Sequence, residues 1–400
     1  MAVVSSNAQL PGIGVFGTGT AVKCLVPILK SWGFKVEAIW GRTKELAEEC
    51  ARDLGIGFHT SKVDEVLLHK DVDLVFIHCP PHLQSPIAVK ALGIGKNVIC
   101  GTPAGPSQMD ALRMVNAAEY YPSLMSLMCN GLRFLPCFVK MRQLIEEGYV
   151  GEVTICEARI HSGSFLKDKF DWICDELMGG GVLNIYGSII IDLITFLTHQ
   201  RATKVHGLLK TFTKQTEKIK GIRQITSDDF CSFQMELESD ACATVTINNH
   251  VTGQYLQEVL ICGTKGRLMV RGSDLFGQKN DQSKEEMIHR DIPNILDQHK
   301  TGVCENIRAD IPIPHLKGLV KLIDAVKEAF KMVEEKHGWV RDPVNIAATF
   351  LDGQYVQTVV DAVRKSSKTR EWIRVKMISE EPDPNPLMSA AMRRSTFSLH

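Results

Sequence analysis

I-G-V-F-G-T-G-T, residues 13–20, is the stretch on which the reading of the whole chain turns. An apolar run, Ile13 to Phe16, passes directly into Gly17-Thr18-Gly19, and residues 20–31 beyond it have helical spacing. A strand that feeds a helix through two glycines opens a βαβ dinucleotide unit. There Gly17 makes the tight turn, while Gly19 lets a pyrophosphate reach the backbone at the helix N-terminus, between Thr18 and Thr20. Val22 stands where the fingerprint has Gly or Ala, so its bulk should push helix and strand slightly apart. The bland alternative is a structural turn with no ligand; the strand and helix on either side favour the nucleotide.

Outward from this turn, short apolar runs alternate with amphipathic segments. V-E-A-I-W (36–40) precedes a helix at 44–54, V-D-L-V-F-I-H-C (72–79) one at 84–93, and N-V-I-C (97–100) one at 107–120. This alternation predicts a doubly wound parallel sheet over residues 12–130. Residues 131–376 change character. Runs such as G-E-V-T-I-C-E-A-R-I-H-S-G and A-C-A-T-V-T-I-N-N-H-V are rich in β-branched residues and separated by short turns. They predict an α/β domain with an open, mostly antiparallel sheet, flanked by long helices at 316–337 and 347–368. Residues 1–11 read as a loose leader and 377–400 as a flexible, acidic, proline-rich tail.

The second strand ends in W-G-R-T (40–43). An NAD site would place a carboxylate about 20 residues past the glycines, against the ribose hydroxyls. The chain instead has Arg42 beside Thr43. A guanidinium there suits a 2′-phosphate through a charge-assisted fork, so NADP(H) is expected over NAD(H). An exposed arginine at a helix start is the plainer reading.

Composition narrows the function classes. The 46 basic and 46 acidic residues cancel, which gives no support for nucleic acid or an anionic membrane surface as partner. No apolar run approaches the length of a membrane helix. The N-terminus lacks the basic and long apolar regions of a signal peptide, and no N-x-S/T sequon occurs. Twelve cysteines are scattered singly, without C-x-x-C, a pattern of reduced thiols and a cytoplasmic setting. A secreted or extracellular-matrix location without a clear signal peptide is the alternative. H-C-P-P-H (78–82) has no second ligand cluster, so no metal site is expected.

Residues 179–192, G-G-G-V-L-N-I-Y-G-S-I-I-I-D, pose the functional question. Three glycines permit a sharp turn or a very close approach, and helical spacing then sets Ile185, Ile189 and Asp192 on one face. Together with I-G-V-F-G-T-G-T, V-D-L-V-F-I-H-C-P-P-H-L, G-K-N-V-I-C-G-T-P-A-G, G-Y-V-G-E-V and I-C-G-T-K-G-R-L, this segment resembles the glucose–fructose oxidoreductase, inositol dehydrogenase and rhizopine-catabolism (Gfo/Idh/MocA) family over roughly residues 12–376. L-R-F-L-P-C-F-V-K-M-R-Q-L-I-E-E-G-Y-V-G-E (132–152) and V-H-G-L-L-K-T-F-T-K-Q (205–215) look most like its animal glucose–fructose oxidoreductase domain-containing branch.

The resemblance implies a Rossmann domain, an open sheet that often forms a dimer interface, and three catalytic positions. Where the family has Glu-Lys-Pro, this chain has Gly101, Thr102 and Pro103; where it has an Asp and a His four residues apart, it has Ile185 and Ile189. Gly101, Thr102, Pro80 and His82 would line the cofactor by the same alignment. Hydride transfer from a carbinol needs a titratable group to take the hydroxyl proton. Thr102 is no base near neutral pH, and isoleucine offers no proton chemistry at all. Of the groups that might substitute, His78 reads as a satisfied core residue, Lys167 and Lys169 as solvated loop charges, and Tyr186 as one residue off the inward face; Arg133 is a further one.

Three functions follow. The first is an NADP(H)-binding sensor, scaffold or pseudo-enzyme with no catalytic residues at Thr102, Ile185 and Ile189. The second is an active oxidoreductase on a sugar-like or other small carbonyl or alcohol substrate, with relocated acid/base groups. The third is a structural or matrix-associated protein that keeps the fold. A homodimer through strands within 151–272 is expected, because an open sheet face left in water is a liability.

Overall fold

The computed structural model describes residues 10–166, 170–215, 224–253, 255–291, 311–331, 333 and 338–381. The leader's first nine residues, Lys167, Lys169, the last part of the 316–337 helix and most of the tail lie outside them.

The first sheet consists of β1 (Ile13–Phe16), β2 (Val36–Trp40), β3 (Phe58–Thr60), β4 (Leu74–Ile77), β5 (Asn97–Cys100) and β6 (Ser126–Met128). All pairings are parallel and the order is β3-β2-β1-β4-β5-β6, the dinucleotide-binding arrangement with its switch point between β1 and β4. β1, β4 and β5 are buried at every position, as strands covered on both faces must be. Helices α1 (Thr20–Ser31), α2 (Lys44–Leu54), α3 (Val63–Leu67), α4 (Pro81–Gly93) and α5 (Gln108–Tyr120) supply the covers. Leu25, Ile28 and Leu29 fill one layer, and Ile87, Leu92 and Met114 the other.

The second sheet has nine strands: β7 (Val153–His161), β8 (Ala202–Lys210), β9 (Phe230–Leu237), β10 (Cys242–Asn248), β11 (Leu256–Gly263), β12 (Gly266–Arg271), β13 (Asp274–Lys279), β14 (Glu286–His289) and β15 (Ile373–Arg374). Their order is β14-β13-β12-β11-β7-β10-β9-β8-β15. Pairing is antiparallel except between β7 and β10. Its strands alternate, with Cys156, Ala158 and Ile160 of β7 buried and Ile155, Glu157 and Arg159 outward. The inward face packs on α6 (Pro136–Glu146), α7 (Ser188–Thr198) and α9 (Phe350–Thr369).

Helix α8 (Ile313–Lys331) follows this sheet in the chain but packs elsewhere. Its Leu316, Val320, Ile323 and Phe330 share a core with Leu25, Ile28 and Leu29 of α1. Gly131 and Gly318 make that return possible, since a Cβ on either would meet the other's backbone at 2.5 Å. Met128 N–H also donates to the Ala348 carbonyl at 2.7 Å. The two sheets are thus held at a fixed junction, and the candidate site lies there.

Candidate dinucleotide crevice and glycine platform

The carboxyl ends of β1, β2, β4 and β5 form one edge. Gly17 is at φ +129°, and a Cβ there would lie 2.4 Å from the His78 carbonyl oxygen, so glycine is required. Gly17 N–H donates to Trp40 O at 2.9 Å, His78 N–H to Phe16 O at 2.8 Å and Gly101 N–H to Ile77 O at 2.8 Å. Those bonds align the four strand ends. Gly19 is exposed with open space where a Cβ would be, and it caps α1 with no side-chain acceptor. Thr18 and Thr20 are half-buried beside it. A helix start that no side chain caps, with open room in front, suits a phosphate. Val22 is accommodated: it is buried, its Cγ2 only 3.2 Å from a Cβ built on Gly17.

Arg42 is exposed at the end of β2 and has no ion pair among the described residues. Thr43 caps α2, its hydroxyl accepting from Leu46 N–H at 3.3 Å. Pro80 and Pro81 start α4, with His82 exposed on its first turn. Gly101 is buried and Thr102 half-buried, followed by a cis Thr102–Pro103 bond. These ten predicted cofactor positions therefore occupy one continuous edge, and their groups fit a phosphate-bearing dinucleotide.

The three platform glycines each answer a different contact. A Cβ on Gly179 would meet Pro81 at 2.7 Å, on Gly180 the Ile173 carbonyl at 2.3 Å, and on Gly181 an Asp228 carboxylate oxygen at 2.2 Å. Gly179 thus presses the second domain onto the loop after β4, and Gly181 admits a carboxyl. A π-turn, Leu183–Gly187, precedes α7; such turns re-aim side chains and recur at functional sites. Ile185 and Ile189 emerge half-buried against the second core, whereas Asp192 is buried. Ser188 and Asp192 share a small cavity with Thr102, Pro103 and Asn130, so α7 does face the end of β5.

Asp192 is fully engaged. Arg133 donates to it through Nε at 2.8 Å and through Nη2, Asn130 donates through Nδ2, and Arg133 Nη1 lies 3.6 Å from Asp352. This buried clamp ties the turn after β6, α7 and the start of α9 together, so Arg133 is structural here. Tyr186 is buried, its ring packed against Phe165, Tyr255 and His315; burial pushes its hydroxyl above the ordinary 10, too high for a base near neutrality.

Two groups escape a reading of the sequence. His78 reads there as a satisfied core residue, yet its Nε2 is sealed from water with no hydrogen-bond partner. Burial lowers its imidazole to about 4. Asp228 is 7% exposed and accepts from Leu183 N–H at 2.8 Å, while its carbonyl accepts from Val182 N–H at 2.9 Å. Burial raises its carboxyl to about 6, against the opposing pull of the Leu183 bond and the Arg364 guanidinium. It lines a small, partly open pocket with Ser164, Phe165, Asn249 and His250. Asp228 lies 45 residues from Leu183, so no spacing announces it. No group of three or more metal-ligating side chains occurs among the described residues.

A dinucleotide-type crevice joined to an open-sheet α/β unit defines a two-domain oxidoreductase fold. Residues 12–127 match the oxidoreductase family with an NAD-binding Rossmann fold, and residues 138–269 match the GFO/IDH/MocA C-terminal domain. Glucose-fructose oxidoreductase domain-containing protein 1 of Mus musculus is 53% identical over 394 residues, which is 98% of this chain and 100% of that protein. Domain-containing protein 2 of Homo sapiens is 51% identical over 389 residues, 97% of this chain and 100% of that protein. Levoglucosan dehydrogenase, solved with NADH and L-sorbose, shares the fold with a TM-score of 0.76 at 20% identity, covering 93% of this chain and 100% of its own. The chain belongs to the Gfo/Idh/MocA oxidoreductase family, alongside the animal glucose-fructose oxidoreductase domain-containing proteins.

Proposed function

We propose that the protein binds NADP(H) and has lost the family's ordinary hydride-transfer chemistry, acting as a nucleotide-binding sensor or scaffold. One observation carries this reading: the family's catalytic positions hold Thr102, Ile185 and Ile189, and the side chains that α7 brings to the cavity at Thr102 are Ser188 and an Asp192 already clamped by Arg133. Gly17, Thr18, Gly19 and Thr20 would hold the pyrophosphate, Arg42 and Thr43 the 2′-phosphate, and Pro80, His82, Gly101 and Thr102 the nicotinamide end. The bound nucleotide would supply a hydride donor or acceptor. Isoleucine at 185 and 189, packed on the second core, offers no proton acceptor. A small molecule could still occupy the pocket.

Fluorescence titration with NADPH and NADH, followed by a turnover screen on sugars and polyols with NADP⁺, tests the reading. Tight NADPH binding without turnover is expected. Arg42→Ala should weaken NADPH by about 1–3 kcal/mol, the range of a charge-assisted bond, and leave NADH unchanged. Equal losses for both cofactors would refute the 2′-phosphate role.

A second reading, an active oxidoreductase with a relocated acid/base group, has one observation in its favour. Asp228 titrates near neutrality beside the platform, and perturbed carboxyls gather at functional sites. The open sheet face supports a homodimer: Ile155 is 44% exposed and registers with Cys242 and Cys262 on either side. Most described cysteines are buried free thiols, which agrees with a reducing, cytoplasmic setting.

A further inference from the structure

A buried polar atom with no partner costs the empty protein free energy, so it calls for a reason. His78 Nε2 is such an atom, and it sits at the carboxyl end of β4, next to the switch point where open α/β sheets take their ligands. Its carbonyl is the group against which Gly17 turns, and its Nδ1 lies 3.1 Å from the position of a Cβ on Gly101. A side chain at residue 101 would therefore compete with the imidazole for the same volume. Gln84 packs alongside but does not bond the ring: its Nε2 donates to Cys79 O at 3.0 Å, and its Oε1 faces the Cys100 thiol at 3.5 Å. No charged group contributes to the lowered basicity of the ring, which comes from burial alone. The imidazole is neutral at physiological pH, so one ring nitrogen donates and the other accepts.

We propose that His78 is a dinucleotide-contacting residue, its imidazole supplying at the β4–β5 edge the polar contact that Gly101 cannot. The inference rests on the nucleotide-binding reading above. The ring reaches the Gly101 position at the crevice edge, so a turn about its Cβ–Cγ bond brings the unpaired nitrogen to a ligand there. There it hydrogen-bonds a ribose hydroxyl or the carboxamide, groups shared by NADH and NADPH. The cost carried by the empty protein is recovered only on binding.

Two measurements on full-length protein separate this role from simple packing. His78→Phe keeps a ring of similar size and removes both nitrogens. NADPH affinity, measured by fluorescence titration at neutral pH, should fall roughly three- to tenfold, the scale of one net hydrogen bond, with NADH affected equally. The melting temperature of the unliganded variant should hold or rise, because the unsatisfied atom is gone. His78→Gln, which retains a donor and an acceptor, should recover part of the affinity. Unchanged affinity in His78→Phe overturns the proposal, as does a melting temperature that drops while affinity stays fixed. Failure of the underlying reading looks different: the parent itself would bind neither dinucleotide.

Discussion

Replacing Asp228 by Asn should stabilise this protein at neutral pH, although it removes a charge that accepts a hydrogen bond. The carboxyl stands at about 6 against an ordinary 3.8, so the folded state holds its proton more tightly than the unfolded chain does. A raised carboxyl favours folding fully only below its unfolded value, and that advantage is lost as pH climbs through the interval to the folded value. At roughly 1.4 kcal/mol per pH unit, that interval puts the cost of ionisation in the fold at about 3 kcal/mol. With the residue 7% exposed, solvent screening removes little of it. The amide of the Asp228→Asn variant would keep a carbonyl oxygen for Leu183 N–H while carrying no charge. Arg364 loses an anionic neighbour, which returns part of the gain, so about 1–3 kcal/mol is expected at neutral pH. Urea unfolding of parent and variant, followed by circular dichroism, supplies the assay. The stability gap should widen by about 2 kcal/mol between about pH 4 and about pH 7.5. A gap that stays flat with pH would refute the reasoning, since it would mean that Asp228 titrates alike in both states.

Arg133→Met should cost about 3–5 kcal/mol in the same unfolding assay, because it strands the buried Asp192 without its cation; a loss under about 1 kcal/mol, roughly that of a surface pair, would remove the clamp from the account. Ile155→Asp, on the outward face of β7, should turn a homodimer into a folded monomer by light scattering; a parent that is already monomeric at micromolar concentration would defeat the interface. Restoring Thr102→Lys, Ile185→Asp and Ile189→His together should create measurable polyol oxidation with NADP⁺, whereas single changes should do little, since such groups act as one unit. A parent that turns over a sugar at an ordinary rate, of about 1–10³ per second, would end the disabled-enzyme reading.

What is legible in the sequence is local. β1 through α1, with Gly17 and Gly19 between, is written in consecutive residues, and the alternation in β7 and β10 is visible at period two. β3 and β6, three residues each, are too short to carry a pattern. The parallel pairing of β7 with β10 is non-local and leaves no mark in either strand. α8 shows its amphipathic face, but not that the face belongs to α1 rather than to the sheet just before it.

The platform shows the same limit in the candidate site. G-G-G announces close approach without saying of what. Its partners are Pro81 from the nucleotide domain, the backbone of Trp172 and Ile173, and Asp228 from the loop before β9. Only the fold brings those three segments to one turn. They also explain why a glycine-opened helix survives with Ile185 and Ile189 on it. The glycines answer to the domain junction and to a buried carboxyl, neither of which depends on the chemistry those two positions perform in the family pattern. Selection on the junction can therefore preserve the platform whatever chemistry the crevice performs. A substitution such as Gly179→Ala, which would drive a Cβ to 2.7 Å from Pro81, should accordingly disturb the crevice and NADPH binding even in a protein that turns nothing over; unchanged binding and stability in that variant would detach the platform from the nucleotide site.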